Sequence, residues 1–366
     1  MLFHMEKYGS RVEGWLSPDN PGAVPRIRIL RPDSTVAELE ANVFRPDVRD
    51  QGLHPTGHNG FSINEAVFPD LAGMIDQIEI RDADTGVLLY RPFKEDKHVP
   101  LKILRFEPQA MPYAQIESIW DDNFSLYYNA VERYPFETMF GVLNNPATKS
   151  IAISGRVQYG QYEHYFRDRD YKIVSLLRHP LEEMAERLLF IRYALAPQSP
   201  VSFDAHLTGL RCLGPAAQRI TLERMDSIDE CFARLSPEQK AALSNPMVKA
   251  LACKADEVPR KQHVQIALSK LAAMDLVGVR ARYDQFKHML AEMIGKDILA
   301  NSVQPEISWS RRVSEQLGKL KSAHSLVSLD MQLYALVERA VGRVVEENNP
   351  VMRHDVRRDL LGNARV

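Results

Sequence analysis

Four short runs of branched aliphatic residues set the frame for this chain: LKILRF (Leu101–Phe106), SIAISG (Ser150–Gly155), YKIVSLL (Tyr171–Leu177) and MDLVGVR (Met274–Arg280). None alternates between polar and apolar, and each is flanked by helical pattern. A strand that is apolar on both faces must be covered on both faces, which in practice means a parallel sheet between helices. A helix is expected to begin near Tyr113, after the first run. After Pro180, the apolar positions Leu181, Met184, Leu188, Ile191 and Leu195 recur at three- and four-residue spacing. That spacing predicts an amphipathic helix, with proline in the first turn, where its missing N–H costs nothing. Helices are also expected over Arg260–Met274, over Arg282–Ile294 and through most of the chain from Ser310, broken near SAHS.

The first ninety-odd residues follow a different pattern. Short β-prone runs (Arg11–Leu16, Arg26–Leu30, Gln77–Arg81, Val87–Tyr90) alternate with the turn clusters SPDNPG, RPDS, HPTGHNG and DADTG. Such spacing predicts a small β-sandwich-like module over residues 1–95. PFKEDKHVP reads as the linker into an α/β domain over 96–366. With 366 residues the chain has room for two cores.

A formal net charge of -2 argues against nucleic acid as a partner. The three cysteines, Cys212, Cys231 and Cys253, are widely spaced and contain no C-x-x-C pair, so neither a disulfide framework nor a zinc site is expected. His54 and His58 have near-ligand spacing but no third donor nearby, so no metal is expected there either. The first residues lack a basic stretch followed by an apolar core, and no apolar run approaches the ~20 residues a membrane helix requires. The expectation is a cytoplasmic protein that does not span a membrane. The aromatic stretch Asn123–Phe140 reads at helical spacing as core, and RHDVRRD near the end as a solvated charged segment.

There is no phosphate loop G-x-x-x-x-G-K-[ST], no G-x-G-x-x-G, no G-x-S-x-G and no H-E-x-x-H. What remains is KIVSLLRHPLEEMAERLLFIRY (Lys172–Tyr193), in which Arg178 stands at the carboxyl end of a buried strand and the mouth of the next helix. Ligands of open α/β sheets bind at that edge, and a helix N-terminus there favours anions. The plainer alternative pairs Arg178 with a carboxylate such as Glu182 or Glu183, or ties up Arg156, Arg178 and Arg187 with Glu182, Glu183 and Glu186.

This segment resembles the 3'-phosphate segment of the carbohydrate sulfotransferases, in which a strand leads into Arg-Asp-Pro and a helix carrying Arg and Ser. Further segments are similar to that family in order and spacing. ISGRVQYG (Ile153–Gly160) resembles its Ser-Gly-His-x-x-Tyr-Gly turn. DLVGVRARYDQFKHML (Asp275–Leu290) resembles its Val-Gly-Leu-x-Glu-Arg-Phe-Asp segment. SLDMQLYALVERAV (Ser328–Val341) resembles its terminal Asp-x-x-Leu-Tyr helix. VEGWL, FRPDV and GHNGFSI resemble a β-module attached to bacterial glycosyltransferases and sulfotransferases. The resemblance implies a P-loop sulfotransferase-like α/β fold, the sulfonate donor PAPS, and a role in modifying cell-surface polysaccharide. It places the donor at Gln109, Tyr113, Arg178 and Glu186, and the acceptor chemistry at Arg156; His164, eight residues on, reads either as a substitute base or, more plainly, as a surface histidine in QYEHYF.

Arg178 is kept, but the chain departs from the family at the other places. Gln109 stands for the loop lysine, Pro112 for its glycine, and Tyr113 and Ala114 for its hydroxyl pair. A neutral amide does not stabilise a sulfonate as an ammonium does, and proline removes an N–H from the cradle. Arg156 replaces the histidine and cannot act as a base. His179, Glu183 and Glu186 replace the Asp, the helix Arg and the Ser, and Arg280 replaces a glutamate. A carboxylate at a phosphate site repels the nucleotide. Three readings follow: an active PAPS-dependent enzyme, a non-catalytic pseudoenzyme that binds a glycan or a protein partner, or a pocket re-purposed for another anionic ligand lined by Arg156, Arg178 and Arg187.

Overall fold

The computed structural model describes residues 1–346 apart from 21, 34–35, 67, 72, 198–201 and 305–308; the charged RHDVRRD segment lies outside the described residues. The chain divides into two compact units, Met1–Lys102 with Ser118–Ile153, and Ile103–Glu117 with Ser154–Val366.

In the first unit, β1 (Leu2–Tyr8) and β2 (Arg11–Ser17) form a hairpin in which Tyr8 faces Arg11. The period-2 pattern is clean: Phe3, Met5, Val12 and Leu16 are buried, while His4, Glu6, Glu13 and Trp15 alternate outward. Then follow β3 (Arg26–Leu30), β4 (Val36–Glu40), β5 (Val43–Phe44), α1 (Pro46–Asp50), β6 (His58–Ile63), β7 (Glu79–Asp82) and β8 (Leu88–Tyr90). They make two antiparallel four-stranded sheets, in the orders β1-β2-β6-β5 and β4-β3-β7-β8. The runs at Arg11–Leu16, Arg26–Leu30, Gln77–Arg81 and Val87–Tyr90 correspond to β2, β3, β7 and β8. Strand β6 corrects the reading of HPTGHNG as turn alone. Asn59 and Gly60 have low strand propensity, and pairing with β2 overrides it.

The third sheet is parallel and five-stranded: β9 (Lys102–Phe106), β10 (Leu126–Tyr128), β11 (Ile151–Gly155), β12 (Lys172–Leu177) and β13 (Leu276–Val279), in the order β10-β11-β9-β12-β13. Strands β9, β11, β12 and β13 are the four aliphatic runs, and β10 is additional. It arises inside the aromatic stretch, which is not one helix. Ala130 takes a left-handed conformation (φ 47°), and Pro135 precedes the next helix, so the stretch divides into β10, a 3-10 turn at Val131–Arg133 and a separate helix.

The helices are α2 (Ala114–Asn123), α3 (Phe136–Leu143), α4 (Tyr159–Asp168), α5 (Pro180–Ala194), α6 (Gly214–Arg219), α7 (Asp226–Ala233), α8 (Pro237–Leu243), α9 (Pro246–Ala252), α10 (Lys261–Ala272), α11 (Tyr283–Ile294), α12 (Ser310–Leu317), α13 (Lys321–Leu326) and α14 (Ser328–Glu346). Leu181, Met184, Leu188 and Ile191 of α5 pack in one core with Leu213, Ala216, Ile228, Phe232, Val313 and Leu317. Yet α5 has almost no solvated face between Glu183 and Ile191: Glu183, Glu186 and Arg187 are buried with its leucines. The amphipathic expectation is therefore corrected, because charges buried all round a helix must be paired. Gly278 of β13 allows close packing; a Cβ there would lie 2.6 Å from Phe286 of α11.

Chain direction in the sheet positions a site. From β9 the chain continues to β10 on one side, and from β12 it continues to β13 on the other. The carboxyl ends of β9 and β12 thus flank a topological switch point, where α/β sheets bind ligands. Among the described residues, no helix is long and apolar enough to cross a membrane.

Candidate functional site

The loop leaving β9 turns under the start of α5. Gln109, 7% exposed, donates from Nε2 to the Leu176 carbonyl of β12 at 2.6 Å, and its Oε1 has no hydrogen-bond partner. The next amide, Ala110 N–H, donates to Glu183 Oε1 (3.2 Å), and Pro108 O accepts from Arg187 Nη2 (3.3 Å). Arg187 also holds Glu183 Oε1 through Nε and Nη2 (3.0 and 2.8 Å) and donates to Ala242 O (3.1 Å). An acidic side chain, Glu183, thus receives the loop N–H that a phosphate cradle offers its anion.

Beside it, Glu186 is 1% exposed and accepts from three groups. Arg178 Nη1 reaches Oε2 at 2.6 Å, Tyr113 OH donates to Oε2 at 3.2 Å, and Arg280 Nη1 pairs with Oε1. The Arg178 guanidinium also lies 4.3 Å from the Tyr113 ring centroid, within cation–π range. Burial and the neighbouring Glu186 raise the Tyr113 hydroxyl pKa well above its usual value, although Arg178 pulls it back, so it stays a donor. Arg178 Nε has no hydrogen-bond partner. A buried charge persists only when paired, and here one carboxylate from α5 joins the ends of β9, β12 and β13.

The structure thus brings Gln109, Tyr113, Arg178 and Glu186 into one cluster and adds Glu183, Arg187 and Arg280. The partner of Arg178 is Glu186 rather than the nearer Glu182 or Glu183, and Arg187 pairs with Glu183, so two of the arginines are tied up by α5 carboxylates. Arg156, after β11, spends its donors on the His206 and Thr208 carbonyls (3.0 and 2.7 Å). His164 is exposed on α4 with its ring against Tyr165.

A cavity of about 660 Å³ opens next to the cluster. Its lining includes His179, Glu182, Glu186, Arg280, Gln304 and Tyr334, with Ser310, Arg311, Ser314, Glu315 and Glu338 completing the wall on the α12 and α14 sides. His179 and Tyr334 meet edge to face, 5.5 Å between centroids. Burial lowers the His179 pKa below the usual histidine range, which favours a neutral ring. Burial, then Glu338 and Glu182, raise that of Tyr334. Sequence reasoning missed this cavity. Its sequence traces are His179, Glu182, Glu186 and Arg280, each singled out for another reason, and the Asp-x-x-Leu-Tyr pattern that ends at Tyr334.

Among the described residues, one constellation has metal-ligand character. Cys253, Glu257 and His263 have their ligand atoms within 4.8 Å of one another. His263 Nδ1 accepts the Arg260 N–H (3.0 Å) and faces Cys253 Sγ (3.3 Å), while Nε2 faces Glu257 Oε1 (3.2 Å). A metal on Nδ1 would displace the Arg260 amide. A metal on Nε2 would put a proton on Nδ1, opposite that same N–H. The group fits a helix cap better than a metal site. His54 Nδ1 accepts Gly57 N–H, and His58 Nδ1 faces Asn42 O.

No family model matches the chain, and no curated protein matches it.

Proposed function

We propose that this chain is a sulfotransferase-like protein of cell-surface polysaccharide metabolism whose donor site is filled by its own carboxylates. On this reading it is a non-catalytic glycan-binding pseudoenzyme that uses the cavity beside the filled site. The observation that carries the reading is Glu186, buried between Arg178, Arg280 and Tyr113. The cations that would hold a phosphate already hold a carboxylate, and Glu183 takes the loop amide. The re-purposed anion site loses support for the same reason: Arg178 and Arg187 are paired, and Arg156 is bound to backbone carbonyls. The cavity offers what a sugar needs instead, with the half-buried His179 ring and several polar groups on its wall. The three unbridged cysteines fit a reducing compartment, and we place the protein in the cytoplasm.

A second reading, an active PAPS-dependent carbohydrate sulfotransferase, is favoured by one detail. Arg178 Nε is buried without a hydrogen-bond partner, as a donor awaiting a ligand would be. PAP and PAPS at high micromolar concentration separate the two readings, because a ligand that binds only the native state raises the melting temperature. No shift with either nucleotide supports the filled site. A shift that disappears in Arg178→Ala identifies a working donor site.

A further inference from the structure

The outer face of the sheet β1-β2-β6-β5 carries a second cavity, of about 220 Å³, whose lining includes His4, Glu6, Tyr8, Glu13, Arg45 and Ser62. All of these belong to the first unit, and none lines the cavity beside α5. Strand register places them. Glu6 of β1 stands opposite Glu13 of β2, and Glu13 opposite Ser62 of β6. In the next outward row His4 stands opposite Trp15, and Trp15 opposite Gly60. Gly60 leaves that row bare, and the Arg45 side chain lies across it: a Cβ on Gly60 would be 2.8 Å from Arg45 Cγ. The His4 and Trp15 rings stack, 6.3 Å between centroids and 14° apart, which fixes one wall.

Glu6 and Glu13 break a rule of sheet design. Carboxylates directly opposite on neighbouring strands repel, and a face that met only water would gain nothing from the pair. Both retain accepting capacity. Glu6 is 43% exposed and takes His4 Nε2 on Oε1 (3.0 Å) and the Tyr8 hydroxyl on Oε2. Glu13 uses Oε1 alone, for Ser62 Oγ (3.1 Å) and Arg11 Nε (3.2 Å), so that Oε2 has no partner among the described residues. Arg45 is held in place by a two-pronged pair with Asp47 through Nε and Nη2 (2.9 and 2.7 Å). Its Nη1 has no partner among the described residues. One cavity thus combines accepting carboxylate oxygens with a pre-positioned donor.

That combination selects a ligand class. A hydroxyl both donates and accepts, so two neighbouring hydroxyls can answer a carboxylate and a guanidinium together. An anionic ligand would meet Glu6 and Glu13, and an amine would meet Arg45. The volume lies below the roughly 300 Å³ at which pockets for larger organic ligands begin, which suits one sugar ring and not a chain.

We propose that this cavity binds the terminal pyranose of an uncharged glycan, with neighbouring hydroxyls bridging Glu13 Oε2 and Arg45 Nη1 and the ring edge against His4. Glu6 accepts from a further hydroxyl. This carbohydrate site belongs to the first unit alone and stands whether or not the cavity beside α5 takes a ligand.

The test is saturation-transfer NMR titration of the full chain with the methyl glycosides of glucose, galactose and mannose, and with glucuronic acid and glucosamine as charged counterparts. Each is repeated on Glu13→Ala and on Glu6→Ala. At least one neutral glycoside is expected to bind in the millimolar range, more tightly than either charged sugar, and at least about tenfold more weakly to each variant. The melting temperatures of the two variants should not fall, because each relieves the repulsion between Glu6 and Glu13. That outcome separates a lost ligand contact from a damaged fold. Absence of binding by all three neutral glycosides overturns the proposal, and so does tighter binding of a charged sugar. Binding that survives in both variants also overturns it, since the sugar is then held elsewhere.

Discussion

Asn245 and Asp330 cap each other's helices. Asn245 Oδ1 accepts the N–H groups of Leu329 and Asp330 at the start of α14 (2.8 and 3.2 Å). The Asp330 carboxylate accepts those of Met247 and Val248 at the start of α9 (3.0 and 2.8 Å). Each side chain thus supplies the acceptor that the other helix lacks. Asn245 manages this at φ 44°, a left-handed conformation that asparagine tolerates better than most residues.

Because the two caps share one corner, removing either one exposes both helix starts. Asn245→Ala and Asp330→Ala are each expected to lower unfolding stability by roughly 1–3 kcal/mol. The double variant should fall short of the sum, since the first loss already loosens the second cap. Urea denaturation of the four proteins measures this coupling, and strict additivity would show two independent caps.

Asp330 also makes stability depend on pH. It is fully buried, and burial pushes its pKa up to about 7 against the pull of its two N–H donors. The unfolded carboxyl titrates near ~4. A folded value above the unfolded one gives a contribution that is complete below about pH 4 and declines as pH rises toward about 7. Asp330→Asn, which cannot ionise, is expected to flatten this decline. Melting temperatures at several pH values across the window, for both proteins, check it.

Glu186 and Arg178 should not be equivalent when deleted. Loss of Arg178 leaves Glu186 with Arg280 and Tyr113, whereas loss of Glu186 strands two arginines. Glu186→Ala is therefore expected to cost more than Arg178→Ala, on the order of 3–5 kcal/mol. The vacated position should accept a small anion, so sulfate or phosphate is expected to raise the melting temperature of Glu186→Ala more than that of the parent at equal ionic strength. An equal response in both proteins would mean that Glu186 does not stand in an anion site.

Gly278→Ala tests the packing of α11 on the sheet. With Phe286 at 2.6 Å from the added methyl, overpacking is expected to cost about 1–3 kcal/mol. Phe286→Leu in the same chain should recover part of it. A neutral Gly278→Ala would show that the ring moves aside freely.

Zinc is expected to leave the melting temperature unchanged, and so is a chelator, because Arg260 N–H already occupies His263 Nδ1. A zinc-dependent rise that is lost in Cys253→Ser would reverse that assignment.

The sheet was legible because its strands are buried on both faces, and unbroken aliphatic runs report that state directly. Strand β10 was hidden by its aromatic residues, which suit a helix or a strand equally, and only Ala130 and Pro135 mark the division. At the site, the departures at Gln109, Glu183 and Glu186 could be read singly as losses from a donor pocket. That they meet could not. Glu183 answers a loop amide 73 residues away and Glu186 a tyrosine at the same separation, and no local spacing encodes such pairings. The cavity was less legible still, since it draws on His179 and Glu182, Gln304, and Tyr334 from three separate segments, and only the first of them was marked as a candidate ligand edge.

The knot tied by Glu186 also bears on how such a chain can change over generations. Its three partners come from three separate segments, so no one-letter replacement of Glu186 by a neutral residue avoids leaving a buried charge behind. Any route that empties this position one residue at a time passes through weaker-folding intermediates. A closure made of mutually dependent charges works as a ratchet.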